Sequence, residues 1–229
     1  MANFLSRRRV LQTVTGCIAS SLGGCTTPSE RGSPAAQGTP TPKTTTGNMF
    51  PQLSVSSNTP PSDSEVRTKV SRIHRFTAES PARIRAKLTN TAQAERVFWF
   101  GNVVPFTPFK VQHKAKQAQL QLVPVPEEAS GAIDSNNDGE FDVVPDATNK
   151  RCWQAEDEVI FSSERRFVTL DKKESVEKVF TVVGHPTDDE CLLKGKYQTV
   201  NSISISNKKE DTTPGQEFSW EIKLNISSE

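Results

Sequence analysis

The sequence predicts an all-β domain, an antiparallel β-sandwich, on three observations. Several segments alternate apolar and polar residues with a period of two. These segments recur every 10 to 20 residues or so, with Pro, Gly, Asn and Asp between them. No window of helical length carries a convincing apolar stripe of period 3.6.

The elements follow in order. Ala82, Ile84, Ala86 and Leu88 fall on one face of a strand, Arg83, Arg85, Lys87 and Thr89 on the other. The stretch Asn90–Glu95 turns the chain into a second strand, Arg96–Phe100. Gln117–Val123 sets Ala118, Leu120 and Leu122 against Gln117, Gln119 and Gln121. Phe167–Leu170 and Val176–Val183 flank the turn "DKKES", and Tyr197–Ser206 and Phe218–Ile226 complete the set. In the last strand Phe218, Trp220, Ile222, Leu224 and Ile226 share one face. Strands of this length and spacing predict an immunoglobulin-like sandwich over residues 66–229. Gly195-Lys196-Tyr197, entering a strand, resembles the tyrosine corner of such domains.

The N-terminal third reads differently. Residues 1–24 carry Arg7, Arg8 and Arg9, then the mildly apolar run "VLQTVTGCIASSL", then "LGG" before Cys25. That run is too short and too polar to span a bilayer core of ~30 Å, and it fits the middle of a signal peptide. The arginines before it resemble a twin-arginine signal, and "LGGC" resembles a lipobox with Cys25 as the lipid acceptor. Residues 25–65 are a Thr/Ser/Pro-rich stalk with few apolar side chains to offset ordering entropy, so the expectation is a disordered tether reaching about 35 Å. A plain linker and a stalk bearing O-linked sugars are both consistent with that composition.

With 28 basic and 27 acidic residues the net charge is +1, and neither a nucleic-acid binder nor an acidic tail is indicated. Cys17 leaves with the signal and Cys25 takes the lipid; the remaining pair, Cys152 and Cys191, is expected to form a disulfide in an exported domain. Such a bond is worth about 4 kcal/mol on the chain-entropy model.

Three stretches invite a functional reading. In "DSNNDGEFD", Asp134, Asn136, Asp138, Glu140 and Asp142 sit where a calcium loop places its oxygens, with Gly139 at the bend. Pro145 stands where that loop has a bidentate Glu, and no helix pattern flanks it. Calcium is therefore one reading, as a structural ion, and a polar turn between strands is the other. In "VVPFTPF", Phe106 and Phe109 are either an outward binding patch or a cap on the core. Arg83, Arg85 and Lys87 form either a basic contact row or a solvated sheet face.

Catalysis finds little support. His74, His113 and His185 show no metal spacing, and no nucleophile turn of the G-x-S-x-G kind occurs. A blue-copper site needs Cys, two His and usually Met in one C-terminal cluster, and both methionines, Met1 and Met49, lie outside the sandwich. No cofactor is required by any of these patterns.

The combination of "SRRRVLQTVTGCIASSLGGC", the stalk and "PARIRAKLTNTAQAERVFWFGNVVPF" resembles haloarchaeal lipoproteins with twin-arginine signals and a C-terminal immunoglobulin-like domain. The resemblance implies export of a folded domain and anchoring through the lipid of Cys25 on the outer face of the membrane. The expectation is a non-enzymatic surface protein that binds another protein or a cell-envelope polymer. "ARIRAKLTNT" is also similar to strands of bacterial proteinase-inhibitor domains, which gives the alternative: an inhibitor acting through an exposed loop, residues 101–116.

Overall fold

Twelve strands, β1 (Gln52–Ser57), β2 (Val66–His74), β3 (Ala82–Asn90), β4 (Arg96–Phe100), β5 (Val111–His113), β6 (Gln119–Pro124), β7 (Ala132–Asp134), β8 (Val159–Phe161), β9 (Arg166–Leu170), β10 (Ser175–Gly184), β11 (Gly195–Ser206) and β12 (Gln216–Ser227), make up the regular structure among the described residues. The computed structural model describes residues 50–107, 110–125, 143–148, 152–206 and 215–228, and the backbone of 132–134. A single 3-10 turn, Ser62–Ser64, is the one helical element among them.

All pairings between strands are antiparallel. One sheet runs β1-β12-β11-β5-β6-β10-β3-β2, and β4 joins β11 to β9. β11 changes partner along its length: Tyr197 and Gln198 pair with β5, Ser204–Ser206 with β4. The two ends of the path meet through side chains. Arg72 Nη1 donates to Leu53 O at 2.6 Å and Thr68 Oγ1 to Asn58 O at 3.4 Å, so the sheet nearly closes on itself like a barrel. β7 and β8 form a separate two-stranded ribbon.

The core fills the inside. Ala82, Ile84, Ala86 and Leu88 of β3 are fully buried, and Phe218, Trp220, Ile222, Leu224 and Ile226 of β12 face them as the period of two requires. Burial of each large side chain stabilises the fold by roughly 1.5–3 kcal/mol. Asn90, buried at the end of β3, donates through Nδ2 to Ala94 O and Leu170 O at 2.9 Å and accepts from Ala92 N–H at 3.0 Å. Its amide thus satisfies the backbone of two turns at once.

The N-terminal boundary of the domain differs from expectation. The stalk was expected to reach residue 65, yet β1 pairs with β12 from Gln52↔Ser227 to Ser57↔Ile222. Leu53 is buried and Val55 packs on the core. Asn58 then bonds both ways with β12: Nδ2 to Ser219 O at 2.8 Å, and Glu221 N–H to Oδ1 at 2.7 Å. Two apolar side chains and a full ladder of backbone bonds hold a segment whose composition alone reads as unfolded. Residues 1–49, with the signal peptide and Cys25, lie outside the described residues. No helix among the described residues is long and apolar enough to cross a membrane.

Candidate functional site

The outer face of β6 and of the end of β10 carries a second layer. Trp153 lies there, buried, with Nε1 donating to Thr77 O at 2.8 Å. Ala155 N–H bonds Gly184 O, and Gly184 N–H bonds Trp153 O, both at 2.9 Å. A Cβ at Gly184 would stand 3.3 Å from Cys191 Sγ, so a larger residue here requires the disulfide to give by a few tenths of an ångström. Cys152 and Cys191 form the disulfide expected from the sequence, with Cα atoms 6.1 Å apart. It ties the covering segment to the loop that follows β10.

β8 belongs to that layer but shares no backbone ladder with β6. Gln121 bridges the gap with its side chain: Nε2 donates to Asp157 O at 2.8 Å, and Oε1 accepts from Val159 N–H at 2.7 Å. The result is a cleft of about 370 Å³ between β6 and β8, lined by Gln119, Leu120, Gln121 and Leu122 of β6 and Val159, Ile160 and Phe161 of β8. Lys110, Glu158 and His185 bring charge or polarity to its wall. Its size and apolar lining match a small-ligand site.

His185 is the notable group of the wall. Its side chain is 10% exposed, and Nε2 has no hydrogen-bond partner. Nδ1 accepts from Thr187 N–H at 3.4 Å and lies 2.9 Å from Thr187 Oγ1. With Nδ1 as acceptor, the neutral ring carries its proton on Nε2, 3.7 Å from Glu158 Oε1. The loop is held by Gln154, whose Nε2 donates to His185 O at 3.1 Å and Asp188 O at 2.8 Å. The far end is held by Tyr197, whose hydroxyl donates to Leu193 O at 2.6 Å. Burial, with lesser contributions from the Asp188 and Glu190 charges, pushes the Tyr197 phenol up to about 12. Chemically the cleft offers a mostly apolar lining, a directed N–H donor and a cation at the rim, which suits binding of a ligand with an apolar body and an oxygen acceptor.

The other sequence-predicted sites fall as follows. Phe106 is not an outward patch. It is fully buried and meets Trp220 edge-on, with ring centroids 5.2 Å apart. The cause is the polar clasp beneath it: Thr107 Oγ1 accepts from Val103 N–H at 2.8 Å, and Asn201, pointing inward from β11, bonds Thr107 through both amide atoms. Phe109 lies outside the described residues, as do Asn136, Asp138, Glu140 and Asp142; Asp134 ends β7. Among the described residues no three His, Cys, Asp or Glu side chains converge as metal ligands. His74 Nδ1 lies 3.3 Å from Ser80 Oγ, and His113 packs edge-on to Tyr197 while accepting from two loop N–H groups. Of the basic row on β3, Arg85 and Lys87 pair with Glu177 at 3.4 and 3.8 Å.

The cleft itself was missed from sequence. Its one readable signal is the loss of alternation in "FTVVGH" at the end of β10, where Phe180–His185 are all buried. No protein-family model matches the chain, and neither do the curated proteins or the solved structures compared with it.

Proposed function

We propose that the protein is a non-enzymatic lipoprotein, exported by the twin-arginine route and tethered through Cys25 on the outer face of the cell membrane. Its domain is read as an immunoglobulin-like sandwich that binds a protein or cell-envelope polymer. The observation that carries this is the disulfide-braced cleft. A cysteine pair bonded across 39 residues suits an oxidising compartment. The same bond preorganises the wall that bears His185, and preorganisation lowers the entropy cost of binding. The Tyr197–Leu193 hydrogen bond, four residues back along the chain, supports the immunoglobulin-like reading. For the inhibitor alternative the described part of its loop is divided: Asn102, Val103, Phe106 and Thr107 are buried, whereas Lys110, Gln112, Lys114, Ala115 and Lys116 are exposed.

The test is fractionation of cells expressing the full chain or its Cys25→Ser variant. The parent chain is expected with the membranes and the variant in the soluble or released fraction. Equal membrane association of the two refutes the anchor.

A further inference from the structure

We infer that the outer face of β1, β12 and the start of β11 is a docking groove for an acidic polysaccharide, a chain bearing carboxylate or sulfate groups. This goes beyond the cleft beside His185, because it assigns a second surface, and it rests on the envelope location only for where the polymer is met.

The groove has a volume of about 420 Å³ and is lined by Ser54, Ser56, Lys114, Lys196, Lys223 and Asn225, with backbone and core groups beneath. Strand register sets these side chains in two rows. Ser54 pairs with Asn225 and Asn225 with Lys196; Ser56 pairs with Lys223 and Lys223 with Gln198. Inward-facing Leu53, Val55, Tyr197 and Leu224 occupy the alternate positions, so all the polar members point outward. Lys114 is brought beside Lys196 by the bond from its N–H to Lys196 O at 2.8 Å. Each row therefore combines a hydroxyl, an amide and an ammonium.

Charge decides the partner's sign. Neither Lys114 nor Lys196 forms an ion pair with any described residue, and only Lys223 has one, with Glu221 at 2.8 Å. The basic row on β3 has the same balance, with Glu177 paired to Arg85 and Lys87, but it runs along an open strand face and is not gathered around this concavity. Three ammonium groups around one concavity with a single carboxylate favour a polyanion. Hydroxyl and amide groups between them match the hydroxyls of a sugar chain. The groove presents no exposed large apolar side chain: its apolar residues belong to the core, so nothing there would insert into a bilayer.

The test uses the purified full-length chain, with alginate as the polyuronate probe and uncharged dextran as its control. Affinity electrophoresis at several salt concentrations is the readout. Alginate is expected to retard the protein, dextran not, and added salt to weaken the effect. The triple variant Lys114→Gln, Lys196→Gln, Lys223→Gln is expected to bind alginate about tenfold more weakly. The triple variant Arg83→Gln, Arg85→Gln, Lys87→Gln removes the same formal charge and is expected to bind like the parent. Thermal melts of both variants check that the fold is kept. Equal loss in the two variants, no retardation by alginate, or tighter association with vesicles containing phosphatidylglycerol than with alginate would each overturn the proposal. None of these outcomes bears on the Cys25 anchor, which the fractionation tests separately.

Discussion

One sheet of this domain has two unlike halves. Along β3 burial alternates residue by residue, and the outer face carries Arg83, Arg85 and Lys87 into solvent. Along β6 and the end of β10, Leu120–Pro124 and Phe180–His185 are buried without a break. The first half is covered on one side and the second on both, because the segment around Trp153 and β8 lies over it. Period-two alternation marks a face that meets water; its loss marks a face that meets another layer. A layer attached by a side chain, Gln121, instead of a strand ladder leaves a gap, and that gap is the cleft beside His185.

Removing the cover is the strongest way to break this comparison. Trp153→Ala should destabilise the domain by about 3–5 kcal/mol, through the cavity and the lost bond to Thr77 O. Urea unfolding measures the total, and hydrogen exchange locates it. Exchange at Gly184 and Ala155 should rise well before exchange in the β3–β10 ladder. Uniform loss of protection through β3 and β6 would show that the cover is not a separable layer. Gln121→Ala should cost less, about 1–3 kcal/mol, because the buried Val159 N–H loses its acceptor. An unchanged urea midpoint would mean that β8 stays on β6 without the bridge.

How much of this could be read from the chain follows the same division. The strands of the one-sided half, and those facing it across the core, were legible because each alternates: Ala82–Leu88 and Phe218–Ile226 were placed on the right faces. In the sequence Gln121 shares the polar face of its strand with Gln117 and Gln119, yet in the fold it is an internal clamp. Nothing in an alternating Gln distinguishes a solvated amide from one that replaces a missing ladder. By composition β1 reads as stalk, since Leu53 and Val55 are two apolar residues among Ser, Thr and Pro, and its order comes from β12, about 170 residues away. The disulfide was legible by arithmetic on four cysteines. The cleft was not, since it needs Gly184, Gln121 and His185 brought together by the fold.

Tyr197 bounds the braced loop at its far end, and its phenol permits a pH test. Its value is raised in the native state from about 10 to about 12, so the native state holds that proton more tightly than the unfolded chain does. The stabilising effect is complete below pH 10 and is lost as pH rises from 10 to 12. Tyr197→Phe should cost about 1 kcal/mol at neutral pH through the lost bond to Leu193 O. It should also flatten the fall in stability between pH 10 and 12. A variant whose alkaline profile matches the parent would assign that fall to other groups.

The smallest effect belongs to the bare half. Glu177 joins Arg85 and Lys87 across the β3–β10 ladder at 3.4 and 3.8 Å, with all three side chains more than 40% exposed. Water screens such pairs, and the long side chains lose rotamer freedom in making them. Glu177→Gln should therefore change stability by no more than about 0.5 kcal/mol, with the urea midpoint nearly fixed. It should leave Arg83, Arg85 and Lys87 as an unanswered basic row. Alginate binding then gives the sharper readout: if Glu177 is what keeps this row from acting as a polyanion surface, the variant gains retardation that persists when Lys114, Lys196 and Lys223 are all replaced by Gln. If no retardation appears, net cationic charge on a flat face is not enough, and the concave arrangement of hydroxyls and amides on β1 and β12 is what the polymer requires.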